Sequence, residues 1–201
     1  MEMNSRRYPI GIQNFEQLRN LNRVYVDKTE LIYRLIKTDQ IYFFSRPRRF
    51  GKSLLVSTLE AYFLGKKELF HGLVMERLEQ DWTVYPVLHI DFSLTKYTEL
   101  SDLTGQLNLF LYRWENIYGS NEAETTTAER LQGIILRANE QTGKQVVVLV
   151  DEYDAPCWIV ILIPFYSSNS VTRCANSSAL SRDWGNICVS FSLPVSASLA
   201  N

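Results

Sequence analysis

The sequence predicts an α/β fold in which a parallel β-sheet is flanked by helices. Three short runs rich in apolar residues have the length and composition of strands buried in a sheet, namely Ile41–Phe44, Val87–Phe92 and Val146–Val150. Between these runs, apolar residues recur at the three- and four-residue spacing of helices that cover a core. Because strands and helices alternate along the chain, we expect a parallel sheet with helices on both faces.

Local signals bound the helices. Asp27-Lys28-Thr29-Glu30 fits a capping box, with an acidic N-cap and Glu three residues later, and the helix it opens runs to about Lys37. Gly51–Leu64 is predicted as a helix that ends at Gly65. Two further helices are indicated by apolar residues at helical spacing: Leu103, Leu107, Phe110, Leu111 and Trp114, then Leu131, Ile134, Ile135 and Ala138.

Composition is typical of a globular domain and excludes several classes of protein. The 201 residues are 46% hydrophobic and 21% charged, which allows one core of ordinary size. A net charge of -1 gives no support for a protein that coats nucleic acid or a membrane through bulk charge. The apolar stretch Trp158–Phe165 is too short to span a bilayer, and no apolar run follows the basic residues at the start. We therefore expect a cytoplasmic protein with no membrane partner.

The segment Arg46–Ser53 lies between a predicted strand and a predicted helix, and it matches most of the phosphate-loop pattern G-x-x-x-x-G-K-[ST]. Gly51 lets the backbone approach a phosphate without an intervening Cβ, and the first amides of the helix would point at that phosphate. Lys52 would reach the terminal phosphates, and Ser53 would give its hydroxyl to Mg²⁺. The residues predicted to bind ATP are Arg46, Pro47, Arg48, Arg49, Phe50, Gly51, Lys52 and Ser53.

The start of this loop departs from the general pattern. Arg46 stands where the pattern has its first glycine, and Pro47 removes one amide donor. The amides nearest to the phosphate lie at the other end of the loop, so the phosphate cradle can survive this change. Two alternatives stay open. The Gly-Lys-Ser sequence could occur by chance, and the three arginines could be solvated or paired with acids instead of contacting phosphates or nucleic acid.

An acidic pair, Asp151-Glu152, follows the apolar run Val146–Val150. An apolar strand that ends in Asp is where phosphate-loop ATPases hold a second magnesium contact. We predict that Asp151 and Ser53 hold the metal, and that Glu152 is the catalytic base that polarises the attacking water. The alternative is a buried strand that ends in a solvated acidic turn. The pair follows Ser53 after 98 residues, which leaves room for a strand and helices between the two motifs.

Polar residues also close the middle apolar run, which ends His89-Ile90-Asp91-Phe92-Ser93. At the carboxyl end of a parallel strand, Asp91 and Ser93 would face a ligand crevice, with an ordinary strand-end turn as an equal alternative. His89 is interpreted as a packed or surface histidine.

Four separated motifs, Tyr8–Ile12, Tyr25–Thr29, Ser45–Leu54 and Asp151–Asp154, together resemble the AAA-ATPase-like family of bacteria. The Arg-Pro-Arg-Arg-Phe version of the loop is similar to the form found in that family. The resemblance covers the chain from Tyr8 to about Pro156. It implies an ATPase domain of the kind that usually precedes a PD-(D/E)XK nuclease-like domain, which is not recognisable here.

The motifs and the resemblance predict binding of ATP with Mg²⁺, followed by slow or regulated hydrolysis. No arginine finger can be assigned, and the oligomeric state is not predicted. Two other functions stay open. One is a nucleotide-dependent regulatory switch with little turnover. The other is the ATP-binding module of a nuclease-associated system, whose partners would be nucleic acid or a nuclease-like domain lost from this chain.

Composition changes abruptly at residue 156. Residues 1–156 hold 40 of the 43 charged residues, whereas the last 45 hold three charged residues, ten Ser and all three cysteines. We therefore divide the chain into a partial P-loop domain, 1–156, and an atypical tail, 157–201, that reads as the product of a shifted frame or a truncated gene. The expected fold is a P-loop NTPase-type sheet, incomplete at the C-terminus. Removing an unrelated tail should leave solubility and ATP affinity unchanged or better; a genuine but divergent region is the alternative.

Overall fold

The computed structural model describes residues 7–38, 41–47, 50–92, 100–151 and 184–191. None of the helices in these ranges has the length and hydropathy needed to cross a membrane. The helices are α1 (Phe15–Asn20), α2 (Thr29–Thr38), α3 (Lys52–Phe63), α4 (Val74–Leu78), α5 (Leu100–Tyr118) and α6 (Thr127–Thr142), and a 3-10 turn spans Lys67–Phe70. The strands are β1 (Ile41–Pro47), β2 (Val87–Asp91), β3 (Val147–Asp151) and β4 (Trp184–Phe191).

The strands form one sheet in the order β1-β4-β3-β2. β2 and β3 are parallel, whereas β4 is antiparallel to both of its neighbours, β1 and β3. Since β1 and β3 both run against β4, the strands β1, β2 and β3 share one direction, and their carboxyl ends lie at the same edge of the sheet. The predicted α/β class is confirmed, and the sheet as a whole is mixed because of β4.

β4 comes from the segment that we separated as the tail, and sequence patterns did not predict it. Its backbone pairs with β1 from Ile41 to Pro47 on one side and with β3 from Val147 to Asp151 on the other. A strand between two others has both rows of its backbone hydrogen-bonding groups paired, so β4 holds the two halves of the sheet together.

Two apolar cores lie on opposite faces of the sheet. Alternate residues of β3 contribute to different cores: Val147 and Leu149 pack with helices α1 to α4, whereas Val148 and Val150 pack with α5 and α6. Every residue of β3 is buried, as the uninterrupted apolar run predicts for a strand covered on both faces. The prediction of helices on both faces is therefore confirmed.

Helix α2 starts slightly later than the capping box predicts. The carboxylate of Asp27 accepts a hydrogen bond from the Thr29 amide at 2.8 Å. Glu30 forms an ion pair with Arg34 one turn further along, instead of reaching back to the start of the helix. The same Asp27 carboxylate accepts a bond from the Val74 amide at 2.8 Å. Asp27 therefore joins the start of α2 to the start of α4, a long-range role that a local motif cannot reveal.

Helices α5 and α6 pack against each other and cover the second face. Arg130 of α6 makes a two-pronged contact with Glu115 of α5, with N–O distances of 2.7 and 2.8 Å. The start of α6 is fixed by a complete capping box between Thr126 and Glu129. An interhelical ion pair and a capping box thus stabilise this side of the molecule.

Candidate functional site

The predicted phosphate loop connects β1 directly to α3. Gly51 is the N-cap of α3 and has a left-handed backbone with φ of 72°. Among the described residues, a Cβ at this position would meet no atom within 4 Å, so glycine is required here for its backbone angle. Gly51 itself is exposed at the N-terminus of α3.

The two residues after Gly51 start the helix. Lys52 is 5% exposed and Ser53 is half-buried. The first turn of a helix presents amides without intrahelical acceptors and carries the positive end of the helix dipole. A buried lysine at the same end adds a full positive charge, so this end of α3 is suited to an anion such as a phosphate group.

Asp151 and Asp91 lie side by side at the edge that the loop approaches. They are paired in the β2–β3 register at the carboxyl ends of both strands, and Asp151 is 4% exposed. Asp151 and Phe44 of β1 are both paired with Ile187 of β4, so they lie at the same level of the sheet. β1 continues from there to Pro47 and into the loop. The structure thus brings the loop and Asp151 to one edge, although the motifs are far apart in sequence.

Several predicted site residues lie outside the described residues. Arg48, Arg49, Glu152 and Ser93 belong to this group. Arg46 and Pro47 are the last two residues of β1, where the description is limited to the backbone pairing with Gly185 and Trp184. Phe50 is 64% exposed next to Gly51. The roles assigned to these residues remain predictions.

An ion pair that sequence reasoning missed links α3 to β2. The Nδ1 atom of His89 lies 3.1 Å from a carboxylate oxygen of Glu60. Burial lowers the pKa of His89, but the hydrogen bond and charge of Glu60, with the charges of Asp91 and Asp151, raise it above its usual value overall. The imidazole therefore bridges α3 and β2, in surroundings that favour its protonated form. No local signal pairs His89 with Glu60, because they lie on different elements.

A second missed feature is a cavity of about 460 Å³ beside the loop. It is enclosed by the N-terminal segment, by α2 and by α3, and Phe50 and Gly51 form part of its wall. We call it the α2–α3 cavity. Its residues are scattered over three elements, so no sequence spacing could have indicated it.

The side chains present fit a magnesium ion of the kind that is shared with a nucleotide. In the described part of the chain, no group of three or more His, Cys, Asp or Glu side chains could form a metal site of its own. Mg²⁺ prefers oxygen ligands and is usually held by one or two protein oxygens together with phosphates and water. A hydroxyl at Ser53 and a carboxylate at Asp151 offer that donor chemistry at the loop edge.

In this structure a strand leads into a glycine-capped helix, a buried lysine lies at the helix start, and an acidic strand end lies at the same edge. This arrangement is typical of α/β proteins that bind phosphate groups at a helix N-terminus. A family model described as Predicted AAA-ATPase matches residues 9–177, and the chain belongs to this AAA-ATPase-like family. Membership in this family indicates nucleotide binding. The match continues past Pro156, where the resemblance read from motifs ends.

One curated relative is similar over most of the chain. It is described as "Uncharacterized protein in vnfD 5'region" from Azotobacter chroococcum mcd 1, and it is 40% identical over 156 residues. The aligned part is 77% of this chain but 30% of the relative, so the chain spans about a third of that protein's length. No solved structure matches the chain.

Proposed function

We propose that the chain binds Mg²⁺–ATP at the loop Arg46–Ser53 and hydrolyses it slowly. The observation that carries this proposal is the end of α3. There, a left-handed Gly51 and a buried Lys52 follow β1, whose carboxyl end lies at the same sheet edge as Asp151. Family membership supports a nucleotide as the ligand.

Each residue has a separate role in this proposal. The first amides of α3 and the Lys52 ammonium bind the terminal phosphates, where charge-assisted hydrogen bonds are strongest. Ser53 and Asp151 would hold Mg²⁺, which neutralises charge on the phosphates. Glu152 accepts a proton from the attacking water as general base. No residue of the chain is assigned as an arginine finger.

A second candidate is a switch that binds ATP and signals through shape change, with little turnover. The length of the curated relative favours it, because most of that protein lies outside the matched part and offers segments on which an ATP-binding domain could act. The other alternative, the ATP-binding module of a nuclease-associated system, would need a nuclease-like or nucleic-acid partner. DNA binding measured at two salt concentrations tests that partner, since phosphate contacts weaken steeply with salt.

Substitution of Lys52 tests binding. Lys52→Ala should weaken the affinity for a fluorescent ATP analogue by roughly 10- to 100-fold, because a charge-assisted contact to the phosphates is lost. Lys67→Ala is the matched control, since Lys67 is exposed beyond the other end of α3. Equal affinities for the parent and Lys52→Ala would contradict the phosphate-loop assignment.

Substitution of Glu152 separates an active ATPase from a switch. Glu152→Gln keeps the size of the side chain but removes the base, so phosphate release should fall by about 10²–10⁴ while ATP binds as before. If the parent already shows no measurable turnover, the switch is the better function. Unchanged turnover in the variant would mean that Glu152 is an ordinary strand-end acid.

A further inference from the structure

Glu60 and His89 join helix α3 to strand β2 on the face of the sheet that α3 covers. The Nδ1 atom of His89 lies 3.1 Å from a carboxylate oxygen of Glu60. Leu88 and Ile90, the neighbours of His89 along β2, pack in the opposite core with α5 and α6. Because side chains alternate along a strand, His89 and Asp91 both belong to the α3 face.

The acidic edge of the candidate site lies on this face too. Leu149 packs in the core with α1 to α4, and Asp151 is two residues further along β3. Asp151 is paired with Asp91 in the β2–β3 register. Adjacent strands lie about 4.8 Å apart, and like charges that are directly opposite each other destabilise a sheet. His89 lies in the field of both aspartates, in surroundings that favour its protonated form.

Glu60 determines where the His89 imidazole lies. Within the described part of the chain, the Nε2 atom of His89 is buried and makes no hydrogen bond, so Nδ1 carries the polar contact of the ring. The side chains of His89 and Glu60 are 25% and 30% exposed. An ion pair that is partly shielded from water is screened less than a surface pair. Removal of Glu60 would therefore leave the imidazole without the contact that orients it.

Helix α3 carries both Glu60 and the proposed phosphate-binding residues. Lys52 begins the helix, and Glu60 lies in its third turn, about 12 Å further along the helix axis. On the strand side, His89 precedes Asp91 by two residues, or about 6.6 Å. The contact between Glu60 and His89 thus fixes the helix that begins at Lys52 relative to the strand that ends at Asp91.

We propose that Glu60 and His89 are positioning residues of the candidate ATP site. Their ion pair holds the acidic ends of β2 and β3 in the position relative to α3 at which Mg²⁺ can be shared between Asp151 and the phosphates. The inference rests on the proposed Mg²⁺–ATP site and identifies what aligns its two halves. Neither residue needs to touch the nucleotide or the metal.

The contribution of Mg²⁺ to ATP binding tests this inference, because it depends on the alignment of both halves and needs no turnover. A fluorescent ATP analogue is titrated in Mg²⁺ and in EDTA, and the ratio of the two affinities is the Mg²⁺ enhancement. Glu60→Ala and His89→Ala remove the ion pair, whereas Glu60→Gln and His89→Asn keep a hydrogen bond without the charge pair. Glu16→Ala is the matched control, since it breaks the 2.6 Å ion pair of Glu16 with Lys66, which does not involve the sheet.

We expect both Ala variants to lose about 10- to 100-fold of the Mg²⁺ enhancement, the usual effect of losing a group that orients a metal ligand. Their affinity in EDTA should match that of the parent. The double Ala variant should lose no more than either single variant, because the two residues act as one unit. Glu60→Gln and His89→Asn should fall between the Ala variants and the parent. Glu16→Ala should keep the full enhancement.

Two results would overturn the inference alone: a parent-like Mg²⁺ enhancement in the Ala variants, or losses that add up in the double variant. Circular dichroism shows which variants are folded. Where an Ala variant is not folded, Glu60→Gln and His89→Asn decide, and a parent-like enhancement in both would overturn the inference. A parent that does not bind the analogue, or binds it without any enhancement by Mg²⁺, would overturn the proposed Mg²⁺–ATP site and the inference with it.

Discussion

The two faces of the sheet differ in how the helices pack against them. On the α5–α6 side, Leu111, Ile134 and Ala138 are fully buried. One ion pair joins α6 to α5, and a second joins α6 to the loop between the two helices. On the α1–α4 side, the core is equally well buried around Phe15 and Leu59, but a cavity of about 460 Å³ opens beside Gly51. The α5–α6 side therefore serves mainly to stabilise the sheet. The α1–α4 side also has a tightly packed core, but it contains a cavity and the buried Lys52. Substitutions should therefore separate stability from ligand binding according to the side they affect.

Removal of the tail is expected to have the largest effect on stability, because β4 lies within the sheet on which both helix layers pack. A chain that ends at Pro156 lacks the strand that pairs with both β1 and β3, and the exposed strand edges favour aggregation. We expect loss of cooperative thermal unfolding and lower solubility, measured by circular dichroism and light scattering. The frame-shift hypothesis from composition predicts the opposite outcome. A truncated chain as soluble and as strong in ATP binding as the parent would show that β4 is dispensable.

Leu111→Ala tests the supporting side. Leu111 is fully buried on α5, and truncation of such a leucine costs about 2–5 kcal/mol of the free energy of unfolding through lost contacts and a new cavity. Urea unfolding should show that loss. The affinity for ATP, measured where the variant is still folded, should stay close to that of the parent. If the affinity for ATP falls by more than the unfolded fraction of the variant accounts for, packing on the α5–α6 side is coupled to ATP binding on the other side.

Gly51→Ala and Gly143→Ala form a matched pair across the two sides. Both glycines have left-handed backbones, with φ of 72° and 64°. At either position an added Cβ would meet no atom of the described residues within 4 Å. Each substitution should cost about 1–2 kcal/mol through backbone strain alone. We expect similar falls in melting temperature, but reduced ATP affinity for Gly51→Ala alone. Equal affinities would place the phosphate site elsewhere.

A smaller effect is expected from pH at Asp27. Burial raises the pKa of Asp27, but hydrogen bonds from the Thr29 hydroxyl and amide and from the Val74 amide, with the charge of Arg19, lower it below its usual value overall. The stabilisation is therefore present above pH of about 4, the unfolded value, and is lost as pH falls through the lower folded pKa. Asp27→Asn should flatten this part of the dependence of stability on pH. If both proteins lose stability equally below pH of about 4, Asp27 is not the group responsible.

Sequence patterns predicted the secondary structure around the candidate site. The loop, the start of α3 and the acidic end of β3 all follow from short motifs, and α3 itself lies within one residue of its predicted limits. The capping box at Asp27 was only partly right, because its carboxylate serves both α2 and the Val74 amide, 47 residues away. The bridge between His89 and Glu60 and the α2–α3 cavity were not predicted at all.

The sequence by itself determined strands β1 to β3, helices α2, α3, α5 and α6, and which residues match the phosphate-loop pattern, because backbone preference and apolar periodicity act over neighbouring residues. Only the tertiary structure decided that β4 enters between β1 and β3, that Asp91 lies beside Asp151, and that three separate segments enclose a cavity next to Gly51. These features depend on contacts between residues far apart in the chain. Such contacts depend on the register of all the strands and on the packing of all the helices together, so no short motif encodes them.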